Sequence, residues 1–147
     1  MEKNYPSNAK VVVIGGGVIG CSVAYHLTKF GWSDTVLLER DQLTSGTTWH
    51  AAGLVSQLGP TAAITKIRKY TLDLYKKLEV EVDHAAGLRL NGALSIAQTD
   101  SRWQELKRQA TTAQLYNVDI KILDKEEIKK NYPMMHTEDL KGGVLMP

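Results

Sequence analysis

Three glycines and a glutamate have the types and spacing from which chemistry could follow, and a polar loop with a histidine comes after them. Lys10 to Gly20 reads KVVVIGGGVIG, an apolar run that ends in a glycine-rich turn and opens into a helical segment. Gly15, Gly17 and Gly20 stand at G-x-G-x-x-G spacing. Gly15 can take the tight turn, Gly17 has no Cβ to keep the backbone from a pyrophosphate, and Gly20 lets the helix lie close to the strand. The helix start then offers unpaired N–H groups and a partial positive charge to phosphate oxygens. Glu39, about 20 residues on, is placed to hold a ribose hydroxyl. Farther along, Thr44 to Leu54 reads TSGTTWHAAGL. Ser45, Gly46, Thr47 and Thr48 supply hydroxyls and backbone donors suited to phosphate or ribityl oxygens. His50 follows, beside small Ala51, Ala52 and Gly53.

These residues need elements to position them, because a glycine pattern means little outside its strand–turn–helix context. Val11, Val12, Val13 and Ile14 are β-branched residues of the kind found in buried parallel strands. Val18 to Phe30 is the expected helix, stopped by Gly31. Ala24 is small enough for close helix–sheet contact. Thr35 to Leu38 is the expected second strand and delivers Glu39 at its end. The stretch has the order of a dinucleotide-binding βαβ unit. Neither the glycines nor Glu39 choose between NAD and FAD.

With 147 residues the chain is long enough for a domain with a real core. Charged residues make up 23% and the formal net charge is +2, which makes no electrostatic case for nucleic acid or a membrane surface. Cys21 is the single cysteine, which excludes an internal disulfide and a cysteine-based metal site. The start, MEKNYPSNAK, has neither an apolar core nor an arginine-rich amphipathic pattern, and no run approaches membrane-spanning length. A cytoplasmic protein is the expectation.

Downstream, Gly59-Pro60 marks a break. From Thr61 to about Val82, Ile64, Ile67, Leu74 and Leu78 recur at helical spacing. Lys66, Arg68, Lys69, Lys76 and Lys77 lie between them, as a solvated face would. Leu88 to Leu90 and Ala93 to Ala97, on either side of Asn91-Gly92, read as an antiparallel hairpin. Ser101 is the expected cap of a helix to about Tyr116, with Trp103, Leu106, Ala110 and Ala113 on one face. Val118 to Leu123 reads as a strand, and Asp124 with Glu127 as a capping box for a short helix ending near Tyr132-Pro133. Gly142 to Met146 reads as one more strand. The pattern is α/β first, then mixed α+β. Residues 1–9 are a lead-in, 10–82 the N-terminal part of a nucleotide-binding domain, and 83–147 the start of a second, mixed region. His26, His84 and His136 form no metal pattern and pair with no nucleophile. Trp32, Trp49 and Trp103 are scattered, with no stacking platform for nucleic acid.

GGGVIG, LLER (Leu37 to Arg40) and SGTTWHAAGL together resemble the sarcosine and dimethylglycine dehydrogenase family of flavoproteins, within the D-amino-acid-oxidase-like group of FAD-dependent amine oxidoreductases. LYKKLE (Leu74 to Glu79), GLRLNGALSIAQT (Gly87 to Thr99) and NYPMM (Asn131 to Met135) extend the resemblance over nearly the whole chain, and TTWHAAGL is its most specific part. The resemblance implies a Rossmann-like FAD-binding βαβ unit followed by the start of a substrate domain. It places Val18, Ile19, Glu39, Arg40 and Gly46 to Leu54, including Trp49 and Leu54, at cofactor-contact positions. His50 matches the histidine that carries FAD covalently through the flavin's 8α-methyl carbon. The implied reaction is oxidation of a small N-methyl amine, with an unassigned electron acceptor and with tetrahydrofolate as a possible cofactor of modules beyond residue 147.

Members of that family need a complete FAD domain and a substrate domain, so the chain reads as the N-terminal piece of a longer flavoenzyme, inactive alone. Completion by a missing C-terminal part or by a partner chain is expected, and no catalytic acid, base or substrate clamp is assignable within it. Three alternatives stand beside this reading: a non-catalytic flavin-fold regulatory subunit, a remnant, and an NAD(P)-dependent dehydrogenase. The last leaves TTWHAAGL unexplained.

Overall fold

A computed structural model describes residues 6–83 and 85–147. The first part of the lead-in and His84 therefore lie outside the described residues. The chain divides into two compact units, Met1–Leu54 and Val55–Pro147. The helix after Gly59-Pro60 thus falls in the second unit, whereas the division at residue 82 groups it with the first.

In the first unit, strands Val11–Ile14 (β1) and Thr35–Leu38 (β2) pair in parallel, Val11 opposite Thr35 and Ile14 opposite Leu38. Helix Val18–Lys29 (α1) crosses between them. Gly31, at φ +86°, follows its last turn, as a helix stop of that kind requires. The valine run is not buried on both faces, contrary to the expectation for a parallel strand. Val11 and Val13 are half-buried, whereas Val12 is 49% and Ile14 86% exposed. Side chains alternate across a strand, and α1 covers only the face that carries Val13.

In the second unit, helix Ala62–Glu81 (α2) is capped by Thr61, whose hydroxyl accepts the Ile64 N–H at 3.3 Å. Its buried residues are Thr65 and Leu72, whereas Ile64 and Ile67 are exposed, so the expected apolar stripe is rotated. The cause is tertiary. Thr65 Oγ1 accepts the Gly59 N–H at 3.0 Å and lies 2.9 Å from the Thr61 carbonyl, its acceptor. Arg68 Nη1 donates to Ser56 Oγ at 3.1 Å and to the Leu58 carbonyl at 2.6 Å, and Lys69 Nζ donates to the Tyr116 and Asn117 carbonyls at 2.6 and 3.0 Å. Arg68 and Lys69 therefore leave the solvated face, which keeps Lys66, Lys76 and Lys77.

Strands Ala93–Ala97 (β3), Lys121–Leu123 (β4) and Gly142–Met146 (β5) form an antiparallel sheet in the order β3-β5-β4. The expected hairpin does not form. Ala93–Ala97 pairs with β5, and residues 88–90 form no strand. A type I′ hairpin turn needs positive φ at both central residues, and here Gly92 has it (φ +74°) while Asn91 does not. Helix Asp100–Leu115 (α3) is capped by Thr99 rather than Ser101, the Thr99 hydroxyl accepting the Arg102 N–H at 3.3 Å. Helix Lys125–Asn131 (α4) starts at the expected capping box, with Asp124 accepting from the Glu127 N–H at 2.8 Å and Glu127 accepting from the Asp124 N–H at 3.0 Å.

Successive β5 residues serve opposite faces. Val144 packs with Ala97 and Leu106, beside Trp103 and Ile120. Leu145 packs against Leu123, Ile128 and Leu140. The central strand thus joins two cores. No helix among the described residues is long and apolar enough to cross a membrane.

Candidate functional site

The first unit brings the glycine turn, the end of β2 and the 44–50 loop together. Gly15 leaves β1 at φ +105°, a conformation that L side chains rarely adopt, while its N–H continues the sheet to the Leu38 carbonyl at 2.8 Å. Gly20 carries the tightest constraint, since a Cβ there would lie 1.8 Å from the Gly15 carbonyl oxygen and 3.5 Å from Val13 Cγ1. The close approach expected of the third glycine is thus made chiefly to the turn itself. Gly17 is the N-cap of α1, in extended conformation and with no side chain to cap the helix. A Cβ at Gly17 would come 3.2 Å from Thr48 Oγ1.

Glu39 reaches across from the end of β2. Its carboxylate accepts the Gly16 N–H at 2.6 Å, the Arg40 N–H at 2.7 Å and the Asp41 N–H at 3.1 Å. The Gly16 bond, followed by those from Asp41 and Arg40, holds its pKa below the usual carboxylate range. The carboxylate is therefore ionised at neutral pH and sits beside the glycine turn, where a ribose hydroxyl could meet it.

The loop after β2 docks on the same turn. Thr44 donates its N–H to the Gly16 carbonyl at 2.9 Å and has φ +66°. The Val18 N–H, in the first turn of α1, donates to Thr48 Oγ1 at 2.9 Å. Between these two bonds lie Ser45, Gly46 and Thr47, and Thr47–His50 forms a 3-10 helix. His50 Nδ1 is 3.1 Å from the Gly46 carbonyl. A carbonyl only accepts, so Nδ1 is the donor in this contact and Nε2 is the ring nitrogen left outside it.

The predicted residues thus separate into groups. Gly15, Gly17, Val18, Ile19, Gly20, Glu39 and Thr48 surround the turn, and His50 is held on the adjoining loop. Trp49 is 77% and Leu54 91% exposed. Arg40, Ala51, Ala52 and Gly53 are exposed too, and Arg40 contributes its backbone to Glu39. Sequence reasoning passed over Gly16, which ties the turn to both Glu39 and the following loop. It is buried, donates to Glu39 and accepts from Thr44, and a Cβ there would strike Leu43 at 2.5 Å. The unbroken Gly15-Gly16-Gly17 run was its signal. Thr44 was also passed over, since a threonine at positive φ leaves no mark in sequence.

These features suit a dinucleotide. The helix start has no side chain at Gly17, Gly20 lets the helix lie against the Gly15 carbonyl where a Cβ would strike it, and an ionised carboxylate stands where a ribose hydroxyl could meet it.

Comparison with known proteins agrees. Residues 10–147 match the family described as FAD dependent oxidoreductase. The chain is 44% identical over 143 residues to mitochondrial sarcosine dehydrogenase of Homo sapiens, a match that covers 97% of this chain and 16% of that protein. It is 36% identical over 146 residues to mitochondrial dimethylglycine dehydrogenase of Homo sapiens, covering 99% of this chain and 17% of the relative. The chain thus spans about a sixth of the length of these relatives. In fold it is similar to L-proline dehydrogenase from P. horikoshii, with a TM-score of 0.88 and 24% identity over 97% of this chain and 37% of that one.

Proposed function

This chain belongs to the family of FAD-dependent oxidoreductases, and from that premise we propose that it is the part of an N-methyl amine oxidoreductase that holds FAD, with His50 as the point of covalent attachment. One observation carries the reading: the loop with His50 is hydrogen-bonded to the glycine turn, through Thr44 to Gly16 and Val18 to Thr48. Phosphate recognition and a nucleophilic imidazole are thereby built into one small unit.

The roles of the residues follow from their positions. With the Val18 N–H taken by Thr48, the other N–H groups of the first turn of α1 would face the pyrophosphate, and Gly17 puts no side chain there. Glu39 takes the ribose hydroxyls with a carboxylate already ionised. His50 would offer Nε2, the nitrogen outside its contact with the Gly46 carbonyl, to the flavin's 8α-methyl carbon. A flavin held by these residues would supply the redox chemistry for oxidising an N-methyl amine. The similarity to sarcosine and dimethylglycine dehydrogenases supports a small secondary or tertiary amine as substrate. Tetrahydrofolate and the electron acceptor would be bound by other parts of the whole protein.

The test is acid precipitation of the whole protein. Flavin fluorescence is expected in the washed pellet, and His50→Ala is expected to move it to the supernatant. Flavin released from the wild type would refute the covalent link. A protein that holds no flavin at all would refute the cofactor role and favour a regulatory relative.

A further inference from the structure

The first N–H groups of a helix have no partner within it, and a serine, threonine, asparagine or aspartate at the N-cap normally supplies one. In α1 that position is Gly17, which has no side chain. The Val18 N–H instead meets the hydroxyl of Thr48, 30 residues further on, at 2.9 Å. The same oxygen is the first atom a Cβ on Gly17 would approach. The Thr44–Gly16 bond pins the other end of the segment. His50 lies two residues beyond Thr48 in the 3-10 turn, whose geometry places it about 120° around the axis. Thr48 can therefore face α1 while His50 faces elsewhere.

We propose that Thr48 is a positioning residue for flavin attachment: its bond to the Val18 N–H sets where the His50 imidazole stands relative to a pyrophosphate on the same helix start. The inference rests on the His50 reading above. In the attachment step, His50 Nε2 forms a bond to the 8α carbon with its lone pair. The 8α carbon gives up one proton and the electron pair of that C–H bond, and the imidazole gives up one proton. The flavin ring takes the two electrons and two protons and ends reduced, so no outside oxidant is required for the bond to form. Such a step depends on the approach of two atoms, and misplacement by an ångström can lower its rate by roughly a hundredfold.

The experiment uses the whole protein prepared without flavin, incubated with FAD and quenched in acid at intervals, with pellet flavin measured over time. Reversible FAD affinity is measured separately in the His50→Ala background. Thr48→Val and Thr48→Ala are expected to slow attachment by roughly ten- to a hundredfold, at least tenfold more than they weaken reversible binding. Thr48→Ser, which keeps the hydroxyl, is expected to attach FAD at close to the wild-type rate and supplies the comparison if Thr48→Val does not fold. Wild-type attachment in Thr48→Val would overturn the proposal, and so would Thr48→Ser as slow as Thr48→Ala. A loss of reversible affinity equal to the loss of rate would also overturn it, because Thr48 would then be a ligand for FAD. A wild-type pellet without flavin would bring down the His50 reading and this inference with it.

Discussion

Replacing Gly20 by alanine puts a methyl carbon 1.8 Å from the Gly15 carbonyl oxygen, whereas non-bonded carbon and oxygen need roughly 3.3 Å. The start of α1 and the glycine turn must therefore part by about 1.5 Å. That shift exceeds what a hydrogen bond tolerates, since a 2.9 Å contact stretched past roughly 3.5 Å is no longer one. The donors at the helix start then cannot all reach a pyrophosphate whose attached ribose is held by Glu39. Loss of one charge-assisted bond, about 1.5–3 kcal/mol, corresponds to roughly a 10- to 150-fold weaker Kd. The assay is titration of FAD into the whole protein carrying His50→Ala, so that binding is reversible, followed by quenching of flavin fluorescence. Ser22→Ala, at an exposed position of the same helix, controls for the added helix propensity of alanine. Binding by Gly20→Ala within about threefold of its parent would refute the argument that this approach shapes the phosphate site.

The remaining predictions concern charge and capping. Glu39 has a lowered pKa in the folded state, so its bond to the Gly16 N–H is present above the ordinary carboxylate range and is lost as pH falls through the folded value. Hydrogen exchange at the Gly16 amide, corrected for its intrinsic rate, is expected to stay slow at neutral pH and to quicken only in acid below that range. Protection that disappears near neutral pH would contradict the assignment. At the start of α3, Thr99→Ala is expected to cost about 1 kcal/mol in urea unfolding of the chain, and Ser101→Ala less than about 0.5 kcal/mol. The opposite order would return the cap to Ser101.

Local chemistry was legible wherever neighbouring residues decide it. The capping box at Asp124 and Glu127, the strand before the glycine turn and the helix stop at Gly31 each depend on residues within a few positions. Asn91-Gly92 misled because the turn signal was local while the pairing was not. Five residues of β5 pair with all of Ala93–Ala97, a longer ladder than three residues around Arg89 could offer. The apolar stripe of α2 misled for a related reason. Arg68 and Lys69 have carbonyl partners up to 48 residues away, and periodicity does not weigh those bonds.

By itself the sequence determined the βαβ unit, the glycine turn, the acidic end of β2 and the residues of the His50 loop, because each follows from backbone freedom, side-chain size or short-range spacing. Only the tertiary structure decided that Gly16 is the junction of that unit, that Glu39 is bound to the turn, and that Thr48 caps a helix it does not adjoin in sequence. Hydrogen-bond partners at such separations are selected by the folded backbone. No pattern of neighbouring residues encodes the distance from Thr48 to Val18.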